Sequence, residues 1–192
     1  MRWHENSDYL CSENKNLLIM KKILFSLIAL MAVMTAQAQS INSTWRSMQP
    51  VVSTAADDSF TAASYTYTFF SDGTYSEIVE QTIASEPAQT MALEVATILE
   101  VKGTYSLSGD QLTLTPNKNS FKSDVLSISK NGRVINDSKI KSRAQKQVND
   151  SEVKTQMLNK QTCTVNIGES SLEMKGSKGN KVNFVRFATI KN

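Results

Sequence analysis

The stretch ILEVKGTYSLSGDQLTLT, Ile98 to Thr115, decides how this chain folds. Val101, Gly103, Tyr105 and Leu107 fall on one face of an extended segment, and Leu112 and Leu114 on one face of the next. Successive side chains of an extended chain point to opposite faces, so period two over this length predicts two half-buried strands. Ser108-Gly109-Asp110 between them supplies the backbone freedom of a tight reversal. The stretch is an antiparallel hairpin.

The same grammar repeats on either side of it. YTYTFF (Tyr65 to Phe70) runs into Ser71-Asp72-Gly73 and returns as TYSEIVEQTI (Thr74 to Ile83). DVLSISK (Asp124 to Lys130) meets Asn131-Gly132, a dipeptide suited to a primed turn, and RVIN follows. TCTVNI (Thr162 to Ile167), SLEMK (Ser171 to Lys175) and KVNFVRFATI (Lys181 to Ile190) make a three-strand meander, punctuated by Gly168 and the GSKGN loop. PVVSTAADDSF (Pro50 to Phe60) reads as a loop after the first strand, and SEPAQTM (Ser85 to Met91) as another.

Residues 138–160 break the pattern. Ile140, Ala144 and Val148 recur at spacing four, as do Val153 and Met157, and Asn149 with Glu152 resembles a capping box. A helix is expected from about Asp150 to Lys160, with a helical turn or two before it. Its basic residues, among them Lys139, Lys141, Arg143 and Lys146, suit a solvated outer face; an anionic membrane surface is the competing use. The fold class is therefore all-β, a closed barrel or a sandwich, with about eight to ten antiparallel strands and one helical insertion before the last three.

Upstream, Met20-Lys21-Lys22, the apolar run Ile23 to Met34 and Ala36-Gln37-Ala38 follow the three-part layout of a secretion signal. Twelve apolar residues are short of the roughly 20 that a helical span needs, so no retained membrane span is expected. Residues 1–19 read as an over-long start, 20–38 as the signal, and 39–192 as one domain, exported to the periplasm or beyond. No cysteine stands at the cleavage point to carry a lipid.

Removing 1–38 takes away four of 21 basic and three of 18 acidic residues, leaving 17 against 15, a balance that offers nucleic acid no long-range attraction. It also removes His4 and Cys11, leaving Cys163 and no histidine. A Ser-His-Asp or Cys-His arrangement then lacks its base, and a His/Cys zinc site lacks its ligands. No cofactor is implied.

One resemblance draws these features together. A Thr44-Trp45 pair soon after a signal, the Phe70-Ser71-Asp72-Gly73-Thr74-Tyr75 hairpin, Gly103 to Leu114, and a terminal Phe184-Val185-Arg186-Phe187 resemble the small secreted lipocalin-like proteins of Bacteroidetes-type bacteria, within the lipocalin/calycin group. The likeness covers nearly all of residues 40–190 and implies a lipocalin-like barrel. It also implies that Trp45 plugs the closed end, with Arg186 packed across the indole. Ser43 stands where the family has a glycine. Stacking on a ligand is the alternative role for Trp45.

Tyr65, Tyr67 and Phe69 share a face, with Tyr75 across the turn. With Tyr105 and Leu107 they are the candidate ligand-lining residues; equally, they are core residues of a filled barrel. Asp57, Asp58, Glu77 and Glu80 are expected to be solvated surface charge, with paired-carboxylate catalysis or calcium binding as the sharper alternatives. Cys163 is expected as a buried, inert thiol, or else paired with a partner chain. The expected function is non-catalytic: holding a small apolar or amphipathic ligand. The alternative is a cell-envelope protein-interaction or inhibitor module with a filled barrel. An enzyme using barrel carboxylates or tyrosines comes third.

Overall fold

Three strands too long for one small barrel organise the molecule. The computed structural model describes residues 40–54, 59–85 and 93–188. The expected signal region, the Asp57-Asp58 pair and all but the first residue of the Ser85–Met91 loop lie outside the described residues. In chain order the strands are β1 Thr44–Ser47, β2 Val51–Thr54, β3 Ser59–Phe69, β4 Thr74–Ser85, β5 Leu93–Ser108 and β6 Gln111–Pro116. There follow β7 Lys122–Lys130, β8 Arg133–Val134, helices α1 Ser138–Asn149 and α2 Glu152–Met157, and then β9 Gln161–Ile167, β10 Ser171–Gly176 and β11 Lys181–Ala188.

Eight of these, all antiparallel, close a ring in the order β1, β3, β4, β5, β6, β9, β10, β11 and back to β1. The expected barrel, with its helical insertion before the last three strands, is what the chain forms. β5 has 16 residues, roughly 50 Å at about 3.3 Å per residue. Gly103 to Ser108 pair with β6 in the barrel wall, whereas Leu93 to Glu100 pair with β7. β3 divides likewise, pairing with β1 at Thr66–Thr68 and with β2 at Phe60–Ala63. β3, β4 and β5 thus leave the barrel and continue as an open sheet, β2-β3-β4-β5-β7-β8.

The inner face of the barrel continues as the face on which the helices pack, and it carries two apolar clusters. The barrel cluster holds Ile41, Trp45, Tyr67, Phe69, Tyr75, Leu112, Leu114, Val165, Leu172, Met174 and Phe184. The second joins Ala63, Val79, Leu99, Val101, Val125 and Ile128 of the sheet to Ala144, Val148 and Met157 of the helices. Tyr65 packs against both.

Gly103 sits where β5 enters the barrel. A Cβ there would strike the Thr115 carbonyl oxygen and come within 2.7 Å of Pro116 Cα and 2.8 Å of the Tyr75 ring. Tyr75 faces Gly103 across the β4–β5 pair, so the ring fills the space the missing side chain leaves. At the β7–β8 turn, Asn131 and Gly132 both take positive φ (50° and 75°), the conformation a two-residue primed turn requires.

Two sequence expectations are corrected. Pro50 to Phe60 is not one loop: Val51–Thr54 form β2, held by register with β3. The longer helix is Ser138–Asn149, not the segment from Asp150. Asp137 Oδ1 accepts from the backbone N–H groups of Lys139 (2.7 Å) and Ile140 (3.2 Å), which starts α1 early. Ser151 caps α2, while Asn149 Oδ1 accepts from the Ser123 hydroxyl at 2.6 Å.

Candidate functional site

The alternation along β4 puts Tyr75, Glu77, Val79 and Gln81 on the inner face, and all four are buried. Glu77 is 2 % exposed, the only buried acidic side chain among the described residues. The expectation of a solvated charge is wrong for Glu77. It holds for Glu80, which points outward and meets Arg46 at 3.0 Å on the surface.

Register fixes what surrounds Glu77. Across β3 its partner is Tyr67, and across β5 it is Val101. Along β4 it lies between Tyr75 and Val79. Tyr67 and Tyr75 belong to the barrel cluster, Val79 and Val101 to the second, so Glu77 stands in the seam between the two.

The Tyr67 hydroxyl donates to Glu77 Oε1 at 2.8 Å, whereas Oε2 is buried with no hydrogen-bond partner. Burial holds the carboxyl well above its ordinary range, at about 7, against the smaller lowering effect of the Tyr67 hydrogen bond. Tyr67 is pushed upward by burial first and then by the Glu77 charge, so the phenol stays a neutral donor. Tyr65 and Tyr75 are raised by the same two causes in the same order. No ion pair joins Glu77 to a cation among the described residues. Chemically the group can accept a donor at Oε2, or carry a proton there, within the neutral range.

Two strands from Glu77 in the same register row stands Trp45, which is fully buried. Its Nε1 donates to the Ile41 carbonyl at 2.8 Å, and Arg186 Cζ lies 4.9 Å from the indole centroid. β1–β11 register places these two residues directly opposite each other. Arg186 Nε is buried without a hydrogen-bond partner, and the guanidinium has the indole face as a favourable neighbour.

The candidate lining residues divide between these regions. Phe69 meets Tyr105 edge-on at 5.0 Å, and the Tyr105 hydroxyl lies 2.5 Å from Asn42 Oδ1 and 2.9 Å from the Phe70 carbonyl oxygen, on the Trp45 side. Leu107 packs half-buried against the same cluster. Tyr67 stacks on Phe69 at 5.9 Å and links that side to Glu77, while Tyr65 reaches the second cluster. Cys163 is half-buried on β9 with its thiol pushed up to about 11 by burial.

Among the described residues no three His, Cys, Asp or Glu side chains cluster as metal ligands, and no helix is long and apolar enough to cross a membrane. Sequence reasoning missed Glu77, Gln81 and Thr97 as interior polar residues. The signal for Glu77 was its place in the Tyr75-x-Glu77-x-Val79 alternation. Comparison of the sequence with protein-family models and with curated proteins finds no match.

Proposed function

We propose that this chain is an exported, lipocalin-like binding protein that works without catalysis and holds a small apolar or amphipathic molecule. The observation that carries the proposal is a continuous inner face of aromatic and aliphatic side chains containing one buried carboxyl–phenol pair, Glu77 and Tyr67, with a carboxylate oxygen left unpartnered. Apolar walls with a few placed polar groups are the usual composition of small-molecule sites. Among the described residues Glu77 is the single buried carboxyl, whereas glycoside hydrolysis takes two about 5–9 Å apart.

Titration with the apolar fluorophore phenylnaphthylamine tests this. Saturable binding that is lost in Tyr67→Asp or Phe69→Asp, with the fold retained by circular dichroism, is the expected result. Turnover of an ester, glycoside or peptide that is abolished in Glu77→Gln would overturn it.

A second use, as an envelope-protein interaction module, is favoured by the outer face of β1 and β11. There Val185 and Phe187 are exposed, and Arg46 Cζ lies 6.0 Å from the Phe187 ring centroid. Loss of a bound envelope partner in Phe187→Ser, with no probe binding to the parent, would select it.

A further inference from the structure

Building on the ligand-binding role, we infer that the seam at Glu77 is a head-group site for a cationic amphiphile, whose ammonium group docks on Glu77 Oε2 while its tail lies along the apolar inner face. The ligand class follows from what surrounds that oxygen. Tyr67 occupies Oε1, so one carboxylate oxygen is already held in place and the other has no partner.

The titratable groups coupled to Glu77 are Tyr65, Tyr67 and Tyr75, all neutral phenols, and among the described residues no Lys or Arg lies within ion-pair distance. Arg186, one strand beyond Trp45 in the same register row, is placed over the indole. A buried carboxylate without a counter-ion is costly, and an incoming cation removes that cost. An anionic head group meets the opposite condition. A neutral hydroxyl would satisfy Oε2 but leave the charge uncompensated.

Among the described residues, Thr97 Oγ1 is the other buried side-chain oxygen on this face without a partner. It lies four residues along β5 from Val101, the cross-strand partner of Glu77, so about 13 Å away along the strand. One head group cannot reach both, and Glu77 is the charged one.

Entry is set by what tethers each wall. β3, β4, β5 and β7 are tied by backbone ladders. The helical wall over the second cluster is joined to β7 by side-chain bonds: Gln145 Oε1 accepts from Val125 N, and Gln145 Nε2 and Asn149 meet Ser123. That wall alone is held by no backbone ladder, so it is the one through which we place entry of the tail.

The test compares decylamine, decanol and decanoate as probes of the full chain, by calorimetry at pH about 8 and about 5.5. Decylamine should bind tightest at the higher pH, and Glu77→Gln should weaken it on the order of tenfold or more while leaving decanol unchanged. Decylamine affinity should fall by up to about tenfold per pH unit once Glu77 protonates, while decanol shows no such slope. Tyr67→Phe removes the donor that favours the carboxylate, so it should move the midpoint of that slope to higher pH. Equal affinity for decylamine and decanol, preference for decanoate, or indifference of decylamine to Glu77→Gln each overturn the head-group assignment and leave ligand binding standing. Binding of none of the three overturns both.

Discussion

Replacing Glu77 by Gln should remove a fall in stability with rising pH. In the folded chain the carboxyl titrates at about 7, raised from an ordinary 4.5 by burial. Between those values the folded protein keeps a proton that the unfolded chain has released. Stability therefore falls as pH rises through the interval and levels off above about 7. At about 1.4 kcal/mol per pH unit the full loss is on the order of 3 kcal/mol. Gln carries no proton to lose, and its side-chain oxygen can still accept from Tyr67. The variant should match the parent near pH 4.5 and exceed it by up to about 3 kcal/mol at pH 8. Urea unfolding of both proteins, followed by far-ultraviolet circular dichroism from about pH 4.5 to 8, measures this directly. Asp72 does not interfere: hydrogen bonds from Thr74 hold it below its ordinary 3.8, so its contribution is lost only at more acid pH. His4 cancels in the difference between the two proteins. Parallel pH profiles for parent and variant would refute the placement of Glu77 in a dry seam.

Gly103→Ala should cost about 3 kcal/mol, toward the upper end of overpacking, because the obstructing Thr115 and Pro116 atoms are backbone and cannot turn away; urea midpoints measure it. Arg186→Ala should lower stability by about 1–3 kcal/mol. It should also shift the Trp45 emission to the red, read as a difference spectrum against the parent so that Trp3 cancels. Cys163, with its thiol pushed up to about 11, should react with iodoacetamide far more slowly in the folded protein than in urea; labelling as fast as in the unfolded chain would contradict its burial.

The parts of the fold legible in the sequence are those set by local chemistry. Asp72-Gly73, Gly109-Asp110 and Asn131-Gly132 each mark a reversal because few residues tolerate the backbone angles there. Strand faces followed from alternation wherever one face was uniformly apolar. Glu77 was misjudged because β4 gives mixed signals: Ile78 puts an apolar side chain on the outer face while Glu77 puts a charge on the inner one. Only the pairing with Tyr67 and Val101 settles which face is inward. β2 was missed because Val51–Thr54 is short and gains strand geometry from β3 rather than from its own pattern. The first helix was placed late because Asn149-x-x-Glu152 imitates a cap that Asp137 and Ser151 supply. The division of β5 between two partners depends on chain lengths and closure, which no local window contains.

The pairing of β1 with β11 has a consequence for the order in which the molecule assembles. β3, β4 and β5 are successive in sequence, and the β3–β4 and β5–β6 reversals need only short loops to close. Joining Thr44–Ser47 to Phe184–Ala188 instead spans nearly the whole described chain, so its entropy cost is met only once other contacts hold the ends near each other. The meander should form early and the ring should shut last. Substitutions at Trp45 or Arg186 should then act chiefly by hastening unfolding, with little change in the refolding rate, whereas substitutions at Val79 or Leu99 should slow refolding.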